Sequence, residues 1–266
     1  MTVGFIGAGN MGGALATAVA RAIGGEQVLL ADACADKAAQ LAAMIGARAA
    51  DNTAVVETCD YVFLGVKPQV MESVIASIRA TLCARKTPCA LVSMAAGLST
   101  AALEKMVGVA LPIIRIMPNT PVAVGEGMIL YTHNNSVDTA QVDGLVSILA
   151  QAGRLSAIPE RLIDAASAVS GCGPAFAYLF IEALADGGVE CGLSRTQAIE
   201  YAAQMLRGAA QMVLETGEHP AALKDAVCSP GGTTIAGVHA LEDGGFRSLG
   251  MDAVCAAYQR TLELKK

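Results

Sequence analysis

VGFIGAGNMGGALATAVA, residues 3–20, holds the turn that decides the fold. Val3–Gly7 is a short apolar run of strand character, and the alanine-rich run from Gly12 to Ala22 reads as a helix. Between them lies Gly7-Ala8-Gly9-Asn10-Met11-Gly12, a G-x-G-x-x-G in the strand-to-helix context that gives each glycine a purpose. Gly7 permits the tight turn, Gly9 lets backbone approach a pyrophosphate, and Gly12 lets the helix lie close on the strand. The stretch predicts a dinucleotide-binding βα unit.

Outward from it, apolar strand candidates follow at Val28–Ala31, Tyr61–Val66, Ala90–Met94, Ile113–Met117 and Met128–Thr132. Helical runs separate them at Asp36–Ile45, Gln69–Leu82 and Thr100–Val107. Short buried strands alternating with helices predict a Rossmann-like, doubly wound parallel sheet, α/β in class, over residues 1–159. Asp138-x-x-Gln141 reads as a capping box opening one more helix that ends at Gly153.

In such sheets ligands bind beyond the carboxyl ends of the strands. Asp32, 20 positions past Gly12, ends the second strand. A carboxylate there accepts hydrogen bonds from a ribose 2′-OH and repels a 2′-phosphate, which favours NADH over NADPH. No Arg follows it, and the first basic residue is Lys37. The alternative is that Asp32 turns outward and caps the helix beginning at Asp36. Val66-Lys67-Pro68 ends a third strand, where Lys67 either reaches the cofactor or is simply solvated. Ser93-Met94-Ala95-Ala96-Gly97 leaves room for a flat nicotinamide ring. In Met117-Pro118-Asn119-Thr120-Pro121, Asn119 either bonds nicotinamide or substrate, or fixes the turn between its prolines.

After Pro159 the pattern becomes helical throughout, predicting an all-α dimerisation domain over residues 160–266. Pro174 suits a first helical turn, and Ser194-x-x-Gln197 is a second capping box. Ser170-Gly171-Cys172-Gly173-Pro174 reads equally as a substrate-side wall or as a tightly packed helix start. The helix after Ser194, running to Gly217, is apolar round most of its circumference, so it is expected to be buried nearly all round. Of the 266 residues 54% are hydrophobic and 16% charged, with no Trp. So apolar a chain predicts a helix-rich face covered by another subunit. The most apolar stretch, Ala165 to Ile181, is interrupted by Gly171, Gly173 and Pro174 and closed by Glu182, so no uncharged run of helical residues is expected to reach the roughly 20 of a membrane span. With Val3 entering a strand at once, no signal peptide is expected, and the cytoplasm is the expected compartment. The eight cysteines show no C-x-x-C spacing, so neither a disulfide nor a metal site is expected. A net charge of −6 without a basic cluster speaks against nucleic acid.

Far downstream, Ser229-Pro230-Gly231-Gly232-Thr233-Thr234 combines a freely turning backbone with three hydroxyls, just before the apolar run Ile235–Val238. Consecutive N–H groups in such a turn, entering a helix, form a cradle for a carboxylate or a phosphate. A cofactor site with an acid cradle predicts an enzyme acting on a small carboxylate substrate.

Together these segments resemble the pyrroline-5-carboxylate reductase family over essentially the whole chain. The resemblance rests on GFIGAGNMG, VKP, AAG, MPNTP, SGCGPAFAYLFIEALADGG and HPAALKDAVCSPGGTTIAGVHALEDGGFR. It implies reduction of a cyclic imine to proline with NADPH or NADH, in a homodimer; some members assemble five dimers into a ring. By the same resemblance, Ile6, Gly7, Ala8, Gly9, Asn10, Met11, Val66, Lys67, Pro68, Ala95, Ala96 and Gly97 line the cofactor, with Asn52 at its adenosine side. Ser229, Gly231, Gly232, Thr233 and Thr234 hold the substrate carboxylate. Many relatives use NADPH and lack an acidic residue where Asp32 stands, so family habit and local physics disagree there.

The chemistry explains why no conspicuous acid or base stands out. A protonated cyclic imine is already electrophilic, so hydride delivery needs orientation more than proton transfer. Thr234 is the catalytic candidate, to hydrogen-bond the ring nitrogen with a weak proton-donating role. A β-hydroxyacid dehydrogenase shares the opening motif but needs a Lys on the first long helix of its second domain, and Ala175–Ala185 has none. A non-catalytic nucleotide sensor would have no use for the acid cradle.

Overall fold

In the computed structural model, which describes residues 1–87 and 89–264, strand β1 (Val3–Ile6) lies third from one edge of an eight-stranded sheet. The other strands are β2 (Val28–Ala31), β3 (Arg48–Ala49), β4 (Tyr61–Leu64), β5 (Ala90–Ser93), β6 (Ile113–Met117), β7 (Gly127–His133) and β8 (Gly153–Ala157). Their order is β3-β2-β1-β4-β5-β6-β7-β8. The first six are parallel; β7 runs antiparallel to β6 and β8 parallel to β7. The far edge of the sheet is thus reversed, where a wholly parallel sheet is expected from the sequence.

Each strand sends alternate side chains to opposite faces. Val3, Phe5, Val28, Leu30, Tyr61 and Phe63 meet helices α1 (Asn10–Ile23), α2 (Ala35–Ile45) and α6 (Thr139–Ile148). Ile6, Leu29, Ala31, Val62 and Leu64 meet α3 (Asn52–Thr58), α4 (Pro68–Ala84) and α5 (Thr100–Val107). On α4, Met71, Ile75, Ile78 and Leu82 form one fully buried stripe at helical spacing. Each contributes about 1.5–3 kcal/mol by leaving water. Phe5 and Phe63 stack across β1 and β4 with centroids 4.6 Å apart.

The Asp138 capping box forms as expected, with both reciprocal hydrogen bonds present. Its helix, however, stops at Ile148, and Gly153 opens β8 rather than closing α6. Strand β8 is short and half-exposed, so neither apolar density nor clean alternation marked it. The two-residue β3 and the seven-residue α3 are too short to show a period and were not expected.

The chain divides into two compact units. The first is Met1–Gly171 with the chain from Tyr258 onward; the second is Cys172–Ala257. Helix α7 (Ile163–Ser170) therefore packs with the sheet-bearing unit. Its anchor is Arg115 on β6, 2% exposed, which pairs with Glu160 at 3.2 Å and Asp164 at 3.4 Å. Glu160 also accepts the N–H and hydroxyl of Thr100, both at 2.8 Å. No periodicity in the sequence pointed to this buried ionic cluster.

The second unit contains α8 (Gly173–Glu190), α9 (Arg195–Thr216), α10 (Pro220–Ala226), α11 (Thr233–Asp243) and the start of α12 (Phe246–Glu263). Pro174 occupies the first turn of α8, where its missing N–H does no harm. Ser194 caps α9 through Gln197 N–H, and its hydroxyl engages the Gln197 side chain instead of completing a box. Phe180 and Phe246 join α8 to α12 with centroids 5.4 Å apart. On α9 only Ala198 and Ala202 are buried, so the single chain does not bury this helix all round as expected. Length and composition alone would let Glu160–Glu190 cross a membrane, so run length does not by itself exclude one, contrary to expectation.

Candidate active site

The carboxyl ends of the parallel strands place the predicted cofactor residues in a row. Along the sheet edge run Asn52 after β3, Asp32 after β2, Gly7–Met11 after β1, Val66–Pro68 after β4 and Ala95–Gly97 after β5. The strand order reverses between β1 and β4, which is where open α/β sheets form their ligand crevice.

The glycine turn explains itself in three dimensions. Gly7 has φ +104°, and a side chain there would strike Gly65. A Cβ on Gly12 would run into the Gly7 carbonyl oxygen, so α1 approaches β1 closely only because Gly12 lacks one. Around Gly9, by contrast, a Cβ would meet nothing within 4 Å. Gly9 is the N-cap of α1 without a side-chain cap, so the first-turn N–H groups of Asn10, Met11 and Gly12 have no side-chain acceptor. Open space beside an uncapped helix N-terminus fits a pyrophosphate.

A hollow of about 360 Å³ opens there, walled by Ala8, Gly9 and Asn10 and by Lys37, Gln40, Leu41 and Met44 of α2. The α2 residues were missed by sequence reasoning, although their 37, 40, 41, 44 spacing is one helix face. Ala8 and Ile6 are buried and Asn10 is exposed. Asp32 faces the glycine turn: Ala8 N–H donates to Oδ2 at 2.7 Å and Cys34 N–H donates to Oδ1 at 2.9 Å. It does not cap α2, whose N-cap Cys34 has no side-chain bond. Lys67 is the exposed N-cap of α4 and Pro68 its first residue. Ala95 is buried, while Ala96 and Gly97 are exposed. Asn52 is the first residue of α3, just past the N-cap Asp51.

Asn119 is engaged otherwise. Its Nδ2 donates to Ser170 O and its Oδ1 accepts Met128 N–H, both at 2.9 Å, with 8% of the residue exposed. That geometry is the turn-fixing alternative, and it gives the substrate-contact reading no support.

In the second unit, Gly232 N–H donates to Ser229 O at 3.0 Å, closing a turn with Pro230 and Gly231 in the middle. Gly231 has φ +67°, as the third residue of a type II turn requires. A side chain on Gly232 would collide with Ser229 Oγ. Helix α11 then starts at Thr233 with Gly232 as an N-cap lacking any side-chain bond. The N–H groups of Thr233, Thr234 and Ile235 precede the first helical bond, which Ala236 donates to Gly232 O. Ser229, Gly231, Thr233 and Thr234 are exposed and Gly232 half-buried. Three free amides beside three hydroxyls can hold a carboxylate.

Two family models match different stretches of the chain. A family model described as pyrroline-5-carboxylate reductase dimerisation matches residues 160–264. Another, described as NADP oxidoreductase coenzyme F420-dependent, matches residues 2–97. The pyrroline-5-carboxylate reductase of Escherichia coli (strain K12) is 40% identical over 99% of this chain and 98% of that relative. Pyrroline-5-carboxylate reductase 3 of Macaca fascicularis is 38% identical, over 99% of this chain and 96% of the relative. Among solved structures, a pyrroline-5-carboxylate reductase from Coxiella burnetii superposes with a TM-score of 0.91 at 33% identity, covering 100% of this chain and 98% of the other. The Plasmodium falciparum pyrroline carboxylate reductase with NADP bound gives 0.85 at 34% identity, with the same coverage.

Proposed function

The chain belongs to the pyrroline-5-carboxylate reductase family, and from that membership we propose which residues carry its reaction. It reduces 1-pyrroline-5-carboxylate to L-proline by hydride transfer from NAD(P)H to the C=N carbon, the last step of proline biosynthesis. The bound nicotinamide supplies the hydride. The first-turn amides of α1 hold the pyrophosphate, and Asp32 braces the Ala8 end of the glycine turn. Lys67 and Pro68 wall the cofactor on the β4 side, Ala95–Gly97 on the β5 side, and Asn52 stands at the adenosine end.

The observation that carries the substrate assignment is the uncapped first turn of α11 after the Ser229–Gly232 turn. Its amides and the hydroxyls of Ser229 and Thr233 hold the substrate carboxylate, with Gly231 and Gly232 giving the backbone its shape. That anchor presents one face of the imine ring and contributes orientation, an effect worth several kcal/mol. When hydride adds to the ring carbon, the C=N π pair stays on nitrogen, and the iminium becomes a neutral secondary amine. The Thr234 hydroxyl hydrogen-bonds that nitrogen and keeps it protonated until the transfer. Asn119 we assign to the fold.

Oligomerisation belongs to this family through residues 160–264. We place the functional boundary at 159/160 and assign the exposed apolar faces of α8 and α9 to a second copy of the chain rather than to lipid. The Arg115 pairs already hold Glu160 and Asp164, at the start of the apolar stretch, against the sheet. We propose a homodimer, with the cytoplasm as its compartment.

The test is steady-state kinetics with the imine. Thr234→Ala should lower kcat on the order of 10²-fold with cofactor affinity unchanged; an undiminished kcat removes its role. Gly231→Val, which forces a branched side chain to positive φ, should raise KM for the imine and leave cofactor binding intact.

A further inference from the structure

We propose that Asp32 sets this chain's preference toward NADH, by pinning a negative charge where a 2′-phosphate would have to sit. The inference rests on the cofactor site assigned above and names which form of the cofactor that site takes.

The carboxylate is held at two points, Oδ2 by Ala8 N–H at 2.7 Å and Oδ1 by Cys34 N–H at 2.9 Å. One donor belongs to the glycine turn and the other to the residue that opens α2. Asp32 is therefore not free to swing away when a ligand arrives. A carboxylate offers about four acceptor positions, so two remain for the hydroxyls of an adenosine ribose. It offers no donor, and a 2′-phosphate is acceptor-only at its oxygens. Hydroxyls satisfy the site, and a phosphate leaves two anions facing each other.

The surroundings do not reverse this sign. Sites built for a phosphate use the planar fork of arginine, and none of the residues walling the hollow is an arginine. Its one basic side chain is Lys37, an exposed residue on α2. That ammonium ends a long flexible stem in water, where its field is screened. Asp32 is half-buried at the strand end and fixed by backbone. Like charges brought together at a binding surface are strongly discriminated against, so a preference of at least about tenfold is expected.

The experiment titrates the intact protein with NADH and with NADPH, without imine, following nicotinamide fluorescence. Wild type should bind NADH at least about tenfold more tightly. Asp32→Asn, which keeps the shape, and Asp32→Ser, which makes room, should each narrow the ratio about fivefold or more by tightening NADPH. A wild-type ratio near one, or one favouring NADPH, overturns the proposal. Variants that weaken both cofactors equally also overturn it, because Asp32 then only braces the glycine turn. Wild type binding neither cofactor is a distinct result: it overturns the cofactor-site assignment itself.

Discussion

Cys59 and Cys89 sit at 0% exposure, and the surrounding apolar packing works against their thiolates. Burial, with the Asp60 carboxylate adding to it, pushes the Cys59 thiol from 9.0 to about 12. Burial likewise raises Cys89, partly offset by Arg85. Because the thiolate is the reactive form, a maleimide or iodoacetamide at pH 8 should label the exposed Cys34 and Cys83 and spare this pair. Mass spectrometry reads the result; modified Cys59 in native protein would contradict it. The shift also sets the sign of alkaline stability. Above 9.0 the unfolded chain releases a proton that native Cys59 retains, so stability falls as pH climbs toward 12.

Two glycines of α1 separate packing from binding, although one motif contains both. Gly12 is pressed against the Gly7 carbonyl, so Gly12→Ala should cost about 1–3 kcal/mol of stability through overpacking. Gly9 faces open space, so Gly9→Ala should fold with an unchanged Tm and lose cofactor affinity instead. Calorimetry and cofactor titration on the two variants check the contrast; equal effects would refute it. At β6, Arg115→Ala would leave the Glu160 and Asp164 carboxylates without their cation beneath α7. A cost of about 3–5 kcal/mol is expected by denaturant unfolding. The same elements show where pattern reading ended. Buried stripes such as Met71, Ile75, Ile78 and Leu82 declare α4 in one dimension, whereas β3 and β8 exist because neighbouring strands offer them partners.

For the whole molecule, the decisive feature is apolar surface in the second unit. Leu179 on α8 is 68% exposed and Leu214 on α9 61%, with Tyr178, Tyr201 and Met205 also exposed. Burying such a face against a second copy stabilises at roughly 25 cal/mol per Å². Leu179→Arg with Leu214→Arg should therefore yield a monomer or aggregate with little reductase activity, by light scattering and assay. A double variant that stays dimeric would place the interface elsewhere.

By itself the sequence determined the local rules. Backbone freedom at Gly7, Gly9 and Gly231, the capping residues Asp138 and Ser194, and the strand–helix alternation are all properties of neighbours along the chain. They sufficed for the dinucleotide unit, the glycine turn that leads into α11 and the helical second half. Tertiary structure alone decided the direction of β7 and β8, the burial of Arg115 and the use of the Asn119 amide in the fold. It also turned Asp32 toward Ala8 rather than toward solvent. Each of those depends on a partner distant in sequence, and a one-dimensional pattern holds no term for a contact until the chain has brought the two groups together.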